Sequence, residues 1–313
     1  MAFREVRIAF DKNKVVYDSA LLTFKGVEDF DVYNCSVPFQ YENRCHIFGR
    51  IERREKRGGS RVRLFVETGK DEFTLVPNQL TYLLEDPFVS RVSNQMLFGG
   101  TQVIKDVGEV TDCFCDFYRG TPQELSYFTT GPDRMKSIRA VQLSDGSIGL
   151  FSCHNMGHAC LIGFATVNAL HEITRDVIAS APPVNHKPFL DAWGGVNQPY
   201  LLSSGKVGCI SHHGYLDKDE QGNTINVCCI TSFVYEPSTN KCYDFKILGT
   251  KNCFPPCPAK TPGVADCAFA SGIVMRKDGK CDLYSGLGDT HEGRITIDYP
   301  FEGHGKIVDD LAF

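Results

Sequence analysis

Asp31-Val32-Tyr33-Asn34, Glu85-Asp86-Pro87-Phe88, Lys136-Ser137-Ile138-Arg139, Gly195-Val196-Asn197-Gln198 and Val264-Ala265-Asp266-Cys267 are five polar openings. Each leads into an apolar strand, a turn and a second strand. Taking Asp31, Asp86, Ser137, Asn197 and Asp266 as markers, the steps are 86−31 = 55, 137−86 = 51, 197−137 = 60 and 266−197 = 69. A supersecondary unit that recurs at about 50 residues signals a radial or stacked array. Five such units fill the 313 residues as a five-bladed β-propeller. The sequence therefore predicts an all-β fold with one domain over 1–313 and a central polar funnel.

Three hairpins strengthen the repeat. Ala140–Leu143 and Ile148–Phe151 flank Ser144-Asp145-Gly146-Ser147, a turn of the Asp-Gly type. Tyr200–Leu202 and Val207–Ile210 flank Ser203-Ser204-Gly205-Lys206, and Gly272–Met275 and Cys281–Tyr284 flank Arg276-Lys277-Asp278-Gly279-Lys280. Cys45–Glu52 and Val62–Glu67 read as half-buried strands, with Arg54–Ser60 as a solvent-exposed hairpin tip. Helix is scarce: Val167–Ile178 reads as a short helix or loop between blades, ended by Pro182-Pro183. Gly286-Leu287-Gly288 follows a strand but opens no helix pattern, which argues against a dinucleotide fingerprint.

Composition excludes several classes. With 42% hydrophobic and 23% charged residues the chain is globular, and its net charge of −5 disfavours nucleic acid and anionic membranes as partners. No apolar run reaches the length of a membrane span. Arg4, Glu5 and Arg7 precede any apolar stretch, so no signal peptide is expected. Many of the fourteen cysteines fall inside strands, where Cys packs as a small hydrophobe. There is no pair of Cys-x-x-Cys motifs, so neither a metal nor a cofactor is expected. Free thiols and the absent leader suggest a cytoplasmic location.

Antiparallel pairing brings the end of each second strand back to the start of the first. Gly49 to Glu52, Gly99-Gly100, Ser152 to His154, Ser211 to His213 and Gly288 to His291 therefore join the polar openings at one mouth. Asp31, Asp86 and Asp266 could each cap a turn, but three at equivalent starts favour a shared site. Lys136 and Arg139 could be a solvated pair, yet Ile138 and Val141 around them read as strand interior. Cations entering a sheet take a partner, here an anion such as phosphate; His212 could join them, with Arg50 and Lys260 next in line. Trp193, the single Trp, is either core or a platform for a sugar face.

Glu85-Asp86-Pro87 is similar to the Glu-Asp-Pro-Arg segment that carries the catalytic Asp of the five-bladed-propeller β-mannoside phosphorylases. Gly131–Arg139, Trp193–Asn197 and Gly286–Thr290 resemble a narrower group. It comprises the protozoan mannosyltransferase/phosphorylases of β-1,2-mannan (mannogen) metabolism, with their bacterial relatives. The likeness runs from about Asp31 to Phe301.

The resemblance implies inverting β-1,2-mannosyl transfer. Asp86 protonates the glycosidic oxygen while phosphate attacks the opposite face, giving α-mannose 1-phosphate. In the reverse sense Asp86 takes a proton from the acceptor hydroxyl, with mannose 1-phosphate or GDP-mannose as donor. One carboxyl suffices because phosphate, already anionic, needs no second one to activate it. The implied partners are a mannose oligosaccharide and phosphate, sugar phosphate or GDP-mannose. The sugar would meet Asp31, Asn34, Asn197, Asp266, Asp289 and Trp193. Phe88 stands where the phosphorylases have Arg, and Ser137 and Cys153-His154-Asn155 also depart from the pattern. A glycoside hydrolase, with Asp31, Asp266 or Asp289 as the second carboxylate, and a non-catalytic sugar-binding propeller are the competing readings.

Overall fold

A computed structural model describes residues 2–55, 59–106, 109–156, 159–185, 189, 191–309 and 311–313. The chain is all-β apart from a few short helices. Its strands form antiparallel meanders because apolar runs alternate with tight turns. At the predicted Asp-Gly turn, Gly146 takes φ +88° and Ser147 N–H donates to Asp145 Oδ1 at 2.9 Å. That turn sets the pairing of Val141 with Gly149 and of Leu150 with Ala140. Gly205 and Gly279, at φ +82° and +84°, do the same for the two later hairpins, where glycine carries no steric cost.

The first meander contains Phe30–Tyr33, Arg44–Arg53, Arg61–Gly69 and Glu72–Leu75, and the second Glu85–Val92, Gln95–Asp106, Glu109–Thr121 and Glu124–Thr130. The third has Lys136–Gln142, Ile148–Met156 and Ala159–Val167. Next come Trp193–Leu201, Val207–Lys218, Thr224–Glu236 and Lys241–Gly249, then Asp266–Met275, Cys281–Leu287 and His291–Ile297, with Asp18–Leu21 pairing on the last. The expected five separate sheets are not what the hydrogen bonds give. They form four sheets, because Val227 and Cys228 pair in parallel with Asp266 and Cys267 and fuse the last two meanders into one eight-stranded sheet.

The faces of successive meanders pack on each other. Phe48 meets Phe98 with ring centroids 4.4 Å apart, a contact that contributes about 0.5–1.5 kcal/mol beyond its burial. Phe88 and Leu97 pack with Ile138 and Leu150, Phe151 with Tyr235, and Ile210 and Ile230 with Ile273 and Leu283. Tyr284 of the last meander packs on the Val32, Ile47 and Phe65 cluster of the first. The middle strands are therefore covered on both faces, which is why they read as continuous apolar runs such as Val227–Ile230.

One element escaped the sequence reading. Phe3–Asn13 is an α-helix, whose Phe3 is fully buried beside Phe189, Tyr215 and Phe245. The Arg54–Ser60 tip is not simply solvated: Arg54 pairs with Asp31 and Ser60 is buried under Arg50, while Lys56, Arg57 and Gly58 lie outside the described residues. The expected short helix after Val167 is Arg175–Ala179, preceded by a 3-10 turn at Leu170–Glu172. Among the described residues twelve cysteines carry free thiols, and Cys153 is disulfide-bonded. No helix among the described residues is long and apolar enough to cross a membrane.

Candidate active site

The innermost strands share one irregularity. The ladder slips between Glu85 and Phe88, between Lys136 and Arg139, between Val196 and Gln198 and between Ala270 and Gly272. In the first meander the strand ends at Tyr33, and Phe39–Tyr41 resumes the pairing with Arg44–Arg53. The residues skipped or left at these breaks include Asn34, Asp86, Ser137, Asn197 and Ser271. Such bulges re-aim side chains out of the ladder. Asn34, Asp86 and Ser137 sit at φ +45°, +50° and +56°, a left-handed backbone that non-glycine residues keep only where the surroundings enforce it. Asn34 and Ser271, not the expected Asp31 and Asp266, hold the equivalent places in the first and last meanders.

Asp86 is the centre of the site. Its Oδ1 accepts from Arg50 Nη1 at 2.8 Å and from Asn34 Nδ2 at 3.0 Å, and the side chain keeps 22% exposure. Burial pushes this carboxyl up, but the Arg50 charge, the Asn34 hydrogen bond and the field of Lys136 outweigh it, leaving the group below its ordinary 3.8. Arg50 is saturated: Nε donates to Ser60 Oγ at 3.1 Å, Nη2 lies 3.2 Å from Glu85 Oε1, and the guanidinium stacks 4.8 Å above the Tyr33 ring. Burial alone would favour its neutral form, yet Asp86 and Glu85 drive the other way and hold it charged.

Behind Arg50, Glu52 accepts from the Tyr33 hydroxyl and from Lys260 Nζ at 2.5 Å. Asp289, at φ +58°, completes this side. Burial raises its carboxyl, Arg50 and Lys260 lower it, Asp86 and Glu52 raise it, and the sum lies above 3.8. The two carboxyls are thus driven apart, Asp86 toward the anion and Asp289 toward the acid.

The opposite side is cationic. Arg139, 3% exposed, lies 4.6 Å above the Phe88 ring and donates to the carbonyls of Asn197 at 2.7 Å and Ile138 at 3.0 Å. No carboxylate is bonded to it among the described residues, and burial lowers its pKa. A buried arginine held by carbonyls retains an unneutralised charge. Phe88, which takes the place of an Arg in the phosphorylase segment, is the platform for that charge. His212 Nδ1 lies 2.7 Å from Asn197 Oδ1, which fixes the tautomer with its proton on Nδ1 and leaves Nε2 as an acceptor. Burial and the Arg139 charge push its pKa down to about 4. His212 therefore cannot serve as the cationic clamp expected below neutral pH. An NMR titration is expected to show no His212 transition between pH 6 and 7; a midpoint there would mean that an anion partner is missing from this account.

Of the residues expected at the mouth, Asn34 and Arg50 bond Asp86, Lys136, Arg139, His212 and Asp289 interact with it electrostatically, Asn197 bonds Arg139 and His212, and Lys260 bonds Glu52. Three do not join that group. Asp31 is buried against Arg54 Nε at 2.8 Å. Asp266 bonds Arg7 Nη2 at 2.7 Å, from the N-terminal helix. Trp193 packs on the cluster of Phe3, Tyr215 and Val227. His154 has a side chain outside the described residues.

Comparison with known proteins bears on this geometry. The chain matches the family described as "Protein of unknown function (DUF1861)" over residues 8–303. A mannose phosphorylase from Leishmania mexicana, solved in complex with a phosphate ion, is 55% identical, with 99% of this chain and 97% of that one covered and a TM-score of 0.96. A GDP-Man-dependent mannosyltransferase from the same organism is 57% identical, with 100% of both chains covered and a TM-score of 0.96. This chain belongs to the DUF1861 family. A structure from the GH130 family, in which mannoside phosphorylases stand beside glycoside hydrolases that target β-1,2 mannosidic linkages in Candida mannan, shares the fold at 15% identity, 90% and 87% coverage and a TM-score of 0.55. The comparison with curated proteins found no match.

In this DUF1861 chain the sequence reading gave no role to Tyr33, Ser60 or Glu292, and it placed Glu52 at the mouth without assigning it one. Glu52 carried a signal, an acid at the end of a second strand opposite Asp31. Glu292 carried none beyond being a lone acid entering the strand His291–Ile297.

Proposed function

We propose that the chain catalyses inverting β-1,2-mannosyl transfer. It acts as a mannoside phosphorylase that releases α-mannose 1-phosphate, as a mannosyltransferase from GDP-mannose or mannose 1-phosphate, or as both. The observation that carries this reading is a strained, partly exposed carboxyl, Asp86, in the field of a buried arginine, Arg139, to which no carboxylate is bonded among the described residues. A single acid-base group beside an anion site is what phosphorolysis needs and hydrolysis does not. The scaffold is proposed to be one five-bladed β-propeller domain over 1–313, supported by the five inner-strand breaks and by the cyclic packing of the meanders. The twelve free thiols support a cytoplasmic setting.

In the transfer direction Asp86 is ready as it stands, a carboxylate that takes the acceptor hydroxyl proton. Phosphorolysis needs it protonated. An anion held by Arg139 and Lys136 would offset the positive field on Asp86 and raise its pKa, so binding of phosphate would favour the acid. Asn34, Asn197, Asp289 and the His212 Nε2 acceptor are the groups proposed to meet sugar hydroxyls. Arg50 and Lys260, committed to carboxylates, are left to hold Asp86 and Glu52.

The test is direct. β-1,2-Mannobiose with phosphate is expected to give mannose and α-mannose 1-phosphate, and GDP-mannose with mannose to give oligomers and GDP. Mannose released without phosphate would mean a hydrolase instead. Arg139→Ala is expected to raise the apparent KM for phosphate by about tenfold or more, with little change in that for the mannoside. Unchanged phosphate dependence would move the anion site away from Arg139.

A further inference from the structure

Glu292 is fully buried in the last meander and lies outside the group that surrounds Asp86. Its two oxygens bridge two inner-strand breaks. Oε2 accepts from the Cys35 N–H at 3.0 Å, and Oε1 lies 2.6 Å from Ser271 Oγ. No ion pair to Glu292 occurs among the described residues; the groups that face it are the Cys35 thiol and the Ser271 hydroxyl. A carboxyl buried without a cation costs stability unless it is hydrogen-bonded or protonated, and the bonds that Glu292 makes hold a specific geometry.

Here that geometry is the peptide after Asn34. Cys35 follows the left-handed Asn34, whose Nδ2 donates to Asp86. The same ladder position closes on Asn34 from the other side. Gly286, paired with Glu292 across the sheet, lies so close that a Cβ there would come within 1.9 Å of Asn34 Oδ1 and 2.6 Å of Asn34 N. One strand thus anchors the peptide next to Asn34 while its neighbour, lacking a side chain, leaves room for Asn34 itself.

We propose that Glu292 is a positioning residue for the acid-base carboxyl: by holding the Cys35 N–H against Ser271 it fixes Asn34, and through Asn34 it sets the orientation and proton affinity of Asp86. The inference rests on the role proposed for Asp86. It adds that the last meander tunes a group carried by the second, through a residue of the first. The state of Glu292 follows from its burial, which raises its own pKa to about 7. Burial thus favours its protonated form, in which the carboxyl O–H can donate to Ser271 Oγ.

The experiment compares Glu292→Ala, Glu292→Gln, Ser271→Ala and Asn34→Ala by full pH–rate profiles in both reaction directions, with Asp86→Asn as control. Glu292→Ala and Asn34→Ala are each expected to lower kcat roughly tenfold with KM little changed. Both should move the Asp86 limb of the profile upward, because the Asn34 hydrogen bond favours the carboxylate. The double variant should be no worse than either single one. Glu292→Gln can still accept from the Cys35 N–H through its one oxygen and donate from Nε2 to Ser271 Oγ, so it should recover most of kcat while removing any rate dependence that titrates near 7. Should Glu292→Ala fail to fold, Ser271→Ala carries the test with a smaller shift of the same sign. Additive losses, or a folded Glu292→Ala or Ser271→Ala with an unmoved limb, would overturn the proposal. An active Asp86→Asn would instead remove the function on which it rests.

Discussion

Asp86→Asn is expected to lower turnover at least about 10²-fold in both phosphorolysis and transfer, because one group serves as acid in one direction and base in the other. Asparagine keeps the shape and still accepts from Arg50 and Asn34, so binding and fold should persist. Arg50 also retains Glu85 at 3.2 Å, which limits the damage to the charge network. Rates for both directions, measured with a thermal melt, check this. A variant that lost transfer but kept phosphorolysis would show that two groups, not one, carry the proton.

Arg50→Ala should have the largest effect on stability. It leaves Asp86 and Glu85 without their shared cation in a site where Arg50 itself is only 9% exposed. Removing one member of such a buried network costs about 3–5 kcal/mol. The sign with pH follows from Asp86. In the wild type its folded pKa is depressed, so its contribution is present above 3.8 and is lost as pH falls through the lower folded value. Without Arg50, burial dominates and the folded pKa rises above 3.8. Asp86 then destabilises increasingly as pH climbs from 3.8 toward neutrality. Urea unfolding at several pH values should therefore find the deficit smallest in acid and largest near pH 7. A deficit independent of pH would mean that Arg50 acts through packing on Tyr33 rather than through charge.

Much of the architecture was legible in the chain because it is local. The Asp145-Gly146 turn and its two counterparts set strand registers without help from distant residues. The openings around Asp86, Arg139 and Asn197 were found for the same reason: a polar group at the head of an apolar strand stands out in one dimension. The join between the last two meanders was not legible. It depends on two residue pairs, Val227 with Asp266 and Cys228 with Cys267, in a parallel contact that leaves no turn signal.

The same limit separates the site residues. Asp31 and Asp266 have the composition of pocket residues, but Arg54 and Arg7 reach them first. Arg7 comes from a helix at the other end of the chain, so no spacing rule could link it to Asp266. His212 reads as a cation in the sequence, and burial beside Arg139 makes it neutral. Glu292 reads as one acid in a strand, and the closing of the last meander on the first puts it behind Asn34. The sequence by itself determined which residues turn, which alternate and which carry charge, since those follow from side-chain chemistry and chain-neighbour geometry. Only the tertiary structure decided which charges meet and which remain unneutralised, because desolvation and pairing act through space between segments that the chain keeps far apart.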